Sequence, residues 1–256
     1  MRYALSGLIL ICLVTSGCSS DQQRIQDEVE AGEVALGGNQ YDSAVSHADE
    51  ALHIGANARA YYLRARAEED RPKPSDSIAA ADLAKAKDDY TAAFTMHPGQ
   101  PLEARARAGL ANVAFSTGDY AVAAFQWETA LDDLDMPEYR ALALYRIGEC
   151  QQRLGRFDDA DKTFDRLIQQ YPDQDVATKA QARKGVRGFY LQLGAFAKMD
   201  DAQAAIKKAS DAGLFCRPVS DQGLIAVRGG PYYTYADAEK AKATVATQFT
   251  DPIIGP

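Results

Sequence analysis

Apolar and polar positions alternate over Phe189–Phe196 (FYLQLGAF), with Phe189, Leu191 and Leu193 on one side and Tyr190, Gln192 and Gly194 on the other. That period predicts a strand with one face for a core and one to spare. A helical period follows at once: Ala202, Ala205, Ile206 and Ala209 recur behind Asp200 as N-cap, with Gln203 three residues later, and the pattern stops at Gly213. Residues 215–220 and 223–229 read as two short strands joined by Asp221-Gln222. Thr234, followed by Asp237, opens a second helix whose Ala238, Ala241, Val245 and Phe249 form one stripe, and Pro252-Ile253-Ile254 reads as a last strand. The predicted order is βαββαβ, a small ferredoxin- or RNP-like α/β domain with two helices on one face of its sheet.

Upstream the pattern is all-helical and repeats. Ala44, Ala86, Ala123 and Ala160 recur at intervals of 42, 37 and 37, each followed seven residues later by Ala51, Ala93, Ala130 or Leu167. Periods in this range mean a solenoid of stacked hairpins, each needing its neighbours. Small residues at the helix crossings allow an approach of about 8–10 Å, with Tyr120, Trp127, Phe157 and Phe164 expected to fill the space between neighbouring hairpins. Residues 57–69 fit the period poorly and are followed by Asp70-Arg71-Pro72-Lys73-Pro74-Ser75, an inserted loop. Residues 175–186 read as a solvating end helix, leaving only Arg187-Gly188 before the terminal domain.

Two families are resembled. The run Leu144-Tyr145-Arg146-Ile147-Gly148-Glu149-Cys150, then Leu154-Gly155-Arg156-Phe157-Asp158-Asp159-Ala160, Phe164 and Tyr171-Pro172, is similar to a tetratricopeptide repeat (TPR). That resemblance implies a concave side lined by first-helix positions, here Asn112, Phe115, Tyr145, Glu149 and Arg153, open to an envelope protein. Gln192-Leu193-Gly194-Ala195-Phe196 and Val227-Arg228-Gly229-Gly230-Pro231-Tyr232 resemble the motifs of the SPOR domain, which binds peptidoglycan glycan strands stripped of stem peptides. The family's arginine falls here on Ala226, while Arg228 stands two residues on and on the same strand face. The resemblance implies a glycan-binding face of Tyr190, Gln192, Leu224, Ala226 and Arg228. Such a face offers amide and guanidinium donors over an aromatic and apolar platform.

The first residues add a destination. Arg2 and an apolar run from Leu8 to Val14, too short to span a bilayer, read as an export signal over residues 1–17. It ends Leu13-Val14-Thr15-Ser16-Gly17-Cys18, which resembles a lipoprotein lipobox except for Thr15, where an aliphatic residue is usual. The resemblance implies an acylated Cys18, a short lipidated tether over 18–21, and a solenoid from about Gln22 to Arg187. Ser19 and Ser20 in place of Asp then imply the outer membrane, with the chain facing the periplasm. An ordinary cleaved signal is the alternative. The solenoid would act as a spacer between the lipid and a terminal domain over 188–256.

Composition limits the chemistry. A chain of 256 residues with 46% apolar and 25% charged residues is long enough for more than one folded domain. A net charge of −8 argues against a nucleic-acid partner. His47, His53 and His97, expected in second helices, lack the i, i+4 spacing of a metal pair, so no metal or other cofactor is expected. Asp132-Asp133, Asp158-Asp159 and Asp200-Asp201 sit near helix ends, where acids cap and solvate. Cys150 and Cys216 lie in different domains and read as two buried thiols. The expectation is a non-catalytic peptidoglycan-binding lipoprotein of cell division or wall organisation, with an outer-membrane assembly scaffold, merely parked at the wall, as the alternative.

Overall fold

The computed structural model of the chain describes residues 15–256, with side chains from residue 20 onward. The apolar run of the expected signal and the Cys18 side chain lie outside what is described. Contacts gather the chain into two compact units that divide between Val113 and Ala114.

The first unit is all helix: α1 (Thr15–Gly37), α2 (Tyr41–Ile54), α3 (Ala58–Asp70), α4 (Asp76–Thr95) and most of α5 (Leu102–Ser116). α1 starts ahead of the expected Gln22. Ala44, Ala51, Ala86 and Ala93 have no exposed surface, as their place at helix crossings requires. A Cβ on Gly32 would stand 2.4 Å from Leu63 Cδ2 and 3.1 Å from His47 Cβ, so a larger residue there would make the Leu63 side chain shift. The inserted loop after α3 is pinned by charge. Arg71 holds Asp82 at 2.5 and 2.9 Å and Glu68 at 2.8 Å, and Lys73 lies 3.3 Å from Asp82. Asp82 is buried, and its bonds to Arg71 hold its carboxyl down at about 2. His97 lies beyond α4 with φ of 49°, not in the helix as expected, because Pro98 after it disfavours the α region.

The second unit runs α6 (Tyr120–Ala130), α7 (Pro137–Arg153), α8 (Phe157–Gln170), α9 (Asp175–Arg183), β1 (Phe189–Phe196), α10 (Met199–Asp211), β2 (Cys216–Asp221), β3 (Leu224–Tyr232), α11 (Tyr235–Val245) and β4 (Ile253–Gly255). α9 ends at Arg183, short of the expected Val186. Gly185 takes a left-handed φ of 80° and its N–H donates to Asp161 Oδ1 at 3.0 Å, which turns the chain away from the helix. Phe164 lies against Gly148 of its own hairpin, where a Cβ would be 2.3 Å from the ring. Phe157 faces the terminal domain instead, 6.4 Å from the Phe189 ring and 5.4 Å, edge-on, from Tyr233. Hence the expected boundary at Arg187 falls inside one compact unit.

The βαββαβ order appears as a four-stranded antiparallel sheet, β2-β3-β1-β4. α10 and α11 bury Ala202, Ala205, Ala241 and Val245 against Leu191, Leu193 and Val227. Three local expectations need correction. α10 begins after Lys198 with no side-chain cap, so Asp200 sits in the first turn, where its charge still favours the helix N-terminus. The hairpin turn is Gln222-Gly223, both at positive φ (47° and 82°), one residue beyond the expected Asp221-Gln222. A bulge at Leu193 resets the alternation, so Gly194 pairs with Val227 and Phe196 joins the core while Ala195 is exposed. The Thr234 cap is as expected, accepting from the Asp237 N–H at 3.1 Å.

Candidate functional site: the free sheet face

The face of the sheet away from α10 and α11 carries the five expected residues. Val227 and Ile225 belong to the core, so Leu224, Ala226 and Arg228 on β3 point the other way. Leu191 and Leu193 likewise place Tyr190 and Gln192 of β1 outward. Gln192 pairs with Arg228 across the strands, and the Arg228 Nε–H donates to Gln192 Oε1 at 3.0 Å. This contact engages the Gln192 amide oxygen rather than its N–H donors. The Arg228 Nη2–H donates to Asp221 Oδ2 at 2.6 Å, an ion pair of two half-exposed groups. Leu224 is 43% exposed and can carry a sugar ring, but Ala226 is fully buried between Val219 and Ala195 and floors the face.

Arg217 and Asp221 on β2 belong to the same face and were missed in the sequence. Cys216 packs into the core, so Arg217 points outward, where it pairs in register with Arg228. A turn placed one residue early shifts every β2–β3 pair by two positions and sets Arg217 opposite Ala226. The left-handed preference of Gly223 was the available signal.

The five concave-side positions are mostly engaged within the chain. In the first unit Asn112 hydrogen-bonds Glu69, whose carboxyl is raised by burial and also accepts from the Tyr90 hydroxyl at 2.5 Å. In the second unit Glu149 is buried and paired with Arg146 at 2.9 Å and Arg183 at 3.0 Å, so it presents no free carboxylate. Burial and Glu149 together push the Tyr145 hydroxyl up. Arg153 stacks over Phe115 (4.7 Å), Tyr120 (4.8 Å) and Tyr235 of α11 (4.2 Å), and donates to the Tyr120 hydroxyl at 2.6 Å. Phe115, Tyr120, Arg153 and Tyr235 line an open cleft of about 880 Å³ that the terminal domain itself helps to wall.

Both described cysteines are free. Cys150 is buried, with its thiol pushed up to about 12 by that burial, and Cys216 is half-buried. No described helix is long and apolar enough to cross a membrane.

Comparison with known proteins accounts for both parts of the chain. Residues 185–254 match the SPOR domain family model, residues 142–173 match one tetratricopeptide repeat model, and residues 29–90 and 78–139 match another. No curated protein matches. Among solved structures, a thermophilic TPR protein of Thermus thermophilus is 16% identical with a TM-score of 0.52, over 64% of this chain and 84% of that one. YrrB, described as a TPR protein with an unusual peptide-binding site, is 17% identical with a TM-score of 0.47, over 66% of this chain and 81% of that one. The first of these likenesses shows the helical-repeat fold. The chain therefore carries tetratricopeptide repeats followed by a C-terminal SPOR domain.

Proposed function

We propose that this is a non-catalytic envelope protein that binds peptide-stripped peptidoglycan strands through the free sheet face and protein partners through its repeats. The observation that carries the reading is the Gln192–Arg228–Asp221 cluster, open to solvent on a SPOR sheet between Tyr190 and the exposed Leu224. The sugar rings of such a strand offer neutral hydroxyl and acetamido groups. The cluster meets them with oriented amide and guanidinium donors, and Arg228 stands on the face where the family arginine would have come from position 226. The lipobox-like run ending at Cys18 supports acylation and an outer-membrane location facing the periplasm. Division septa, where amidases strip the wall, are then the place of action.

Retention on sacculi tests the reading. The wild type should bind amidase-treated sacculi better than intact ones, and Gln192→Ala or Arg228→Glu should reduce that retention without loss of fold, since neither side chain touches α10 or α11. Equal retention of wild type and both folded variants would remove the face from glycan binding.

A further inference from the structure

Cross-strand pairing sets Arg217, Arg228, Gln192 and Ile253 in one row across all four strands. The two arginines at the β2 end of the row differ in state. Arg228 is matched by Asp221 at 2.6 Å and by Gln192. Arg217, on the edge strand and exposed, has no carboxylate partner among the described residues. Like charges directly opposite each other on a sheet oppose pairing, and the one acid on the face is taken by Arg228. The row thus ends in an uncompensated cation next to Arg228, a place for an anion.

Resting on the glycan-binding reading above, we propose that Arg217 is a specificity-determining residue that pairs with the free lactyl carboxylate of a peptide-stripped glycan strand. The sugar hydroxyls and acetamido groups of such a strand are neutral. Its anionic group is the lactyl ether carboxylate, and while a stem peptide is attached that same carbon is an amide with no charge. A guanidinium at the end of the row distinguishes the two states chemically, because its planar fork takes a carboxylate through two charge-assisted bonds and an uncharged amide oxygen through a weaker single one. Preference for stripped strands then comes from attraction to the new carboxylate as well as from room for the missing peptide. Arg217 is separated from the platform by Arg228, so it reads the lactyl substituent while Gln192 and Leu224 meet the ring.

Calorimetric titration of the full chain with amidase-released, peptide-free strands, and with the same strands capped as methylamides, tests this. The wild type should bind the free acid about tenfold more tightly than the methylamide, with the difference shrinking as salt rises. Arg217→Gln should bind both forms as weakly as the wild type binds the methylamide, and Arg217→Lys should recover part of the difference. Circular dichroism confirms the fold of each variant. If the wild type binds both forms equally, or if Arg217→Gln still prefers the free acid, the assignment of Arg217 is overturned while glycan binding stands. Absence of wild-type binding to either form overturns the glycan reading itself, and this inference with it.

Discussion

Phe157→Ala tests whether the last helical hairpin and the sheet domain are held as one body. The ring is 4% exposed and meets Phe189 on one side and Tyr233, edge-on, on the other. Tyr233 also stands where a Cβ on Gly155 would lie 2.5 Å from its ring, so that ring lies close against the turn between α7 and α8. Truncating a phenyl group at such a site costs about 3–5 kcal/mol, part of it the aromatic edge contacts. A domain with about 5–15 kcal/mol of stability remains folded but melts roughly 10 °C lower. The same change opens the connecting segment, where Lys184 pairs with Asp165, and Arg187 with Asp161 at 2.7 Å. Scanning calorimetry of the full chain should show the second unit's transition move down. Trypsin cleavage after Lys184 or Arg187 should quicken by about a hundred- to a few thousandfold, following the open population. A melting point within about 2 °C of wild type, together with an unchanged cleavage rate, would show that Phe157 does not hold the two parts together.

Gly148→Ala adds a Cβ 2.3 Å from the buried Phe164 ring, so overpacking of about 1–3 kcal/mol should outweigh the gain in helix propensity of about 1 kcal/mol. A raised urea midpoint would mean that the ring can yield. Asp82 has a folded pKa depressed below the ordinary aspartate value, so its stabilisation is complete above about 4 and is lost as pH falls toward about 2. Asp82→Asn should therefore flatten the acid limb of the first unit's stability curve, and an unaltered limb would locate the acid sensitivity elsewhere. Cys18→Ser should move the protein from the membrane to the soluble periplasmic fraction, and continued membrane fractionation would count against acylation at Cys18.

Much of the fold was legible because it rests on short periods. The alternation of Phe189, Leu191 and Leu193 placed β1, and the spacing of Ala44, Ala86, Ala123 and Ala160 marked the repeats, since each of these residues needs a crowded place at every turn of its element. The rest depended on pairing between distant residues. The bulge at Leu193 exists only in relation to β3, and it decides that Phe196 is core and Gly194 is not on the free face. Tyr190, Gln192, Leu224, Ala226 and Arg228 could be assigned to one sheet face because alternation assigns a face locally. Arg217 and Asp221 could not, because their neighbours follow from the register of a hairpin whose turn was placed one residue early. Nothing local to Arg153 or Glu149 announces that Tyr235 and Arg183 occupy them.

The aromatic junction also bears on the entropy of double binding. Two domains joined by a free hinge tumble independently, and each loses orientational freedom when its own ligand is bound. Here the Phe157, Phe189 and Tyr233 rings remove that freedom for the last hairpin and the sheet during folding. A partner that immobilised the hairpin would leave the sheet already oriented, so the proposed capture of a glycan strand would then meet a smaller entropic penalty. The same rigidity restricts the choice of partners, because a strand and a protein whose geometry does not match the fixed angle cannot be held together by swivelling.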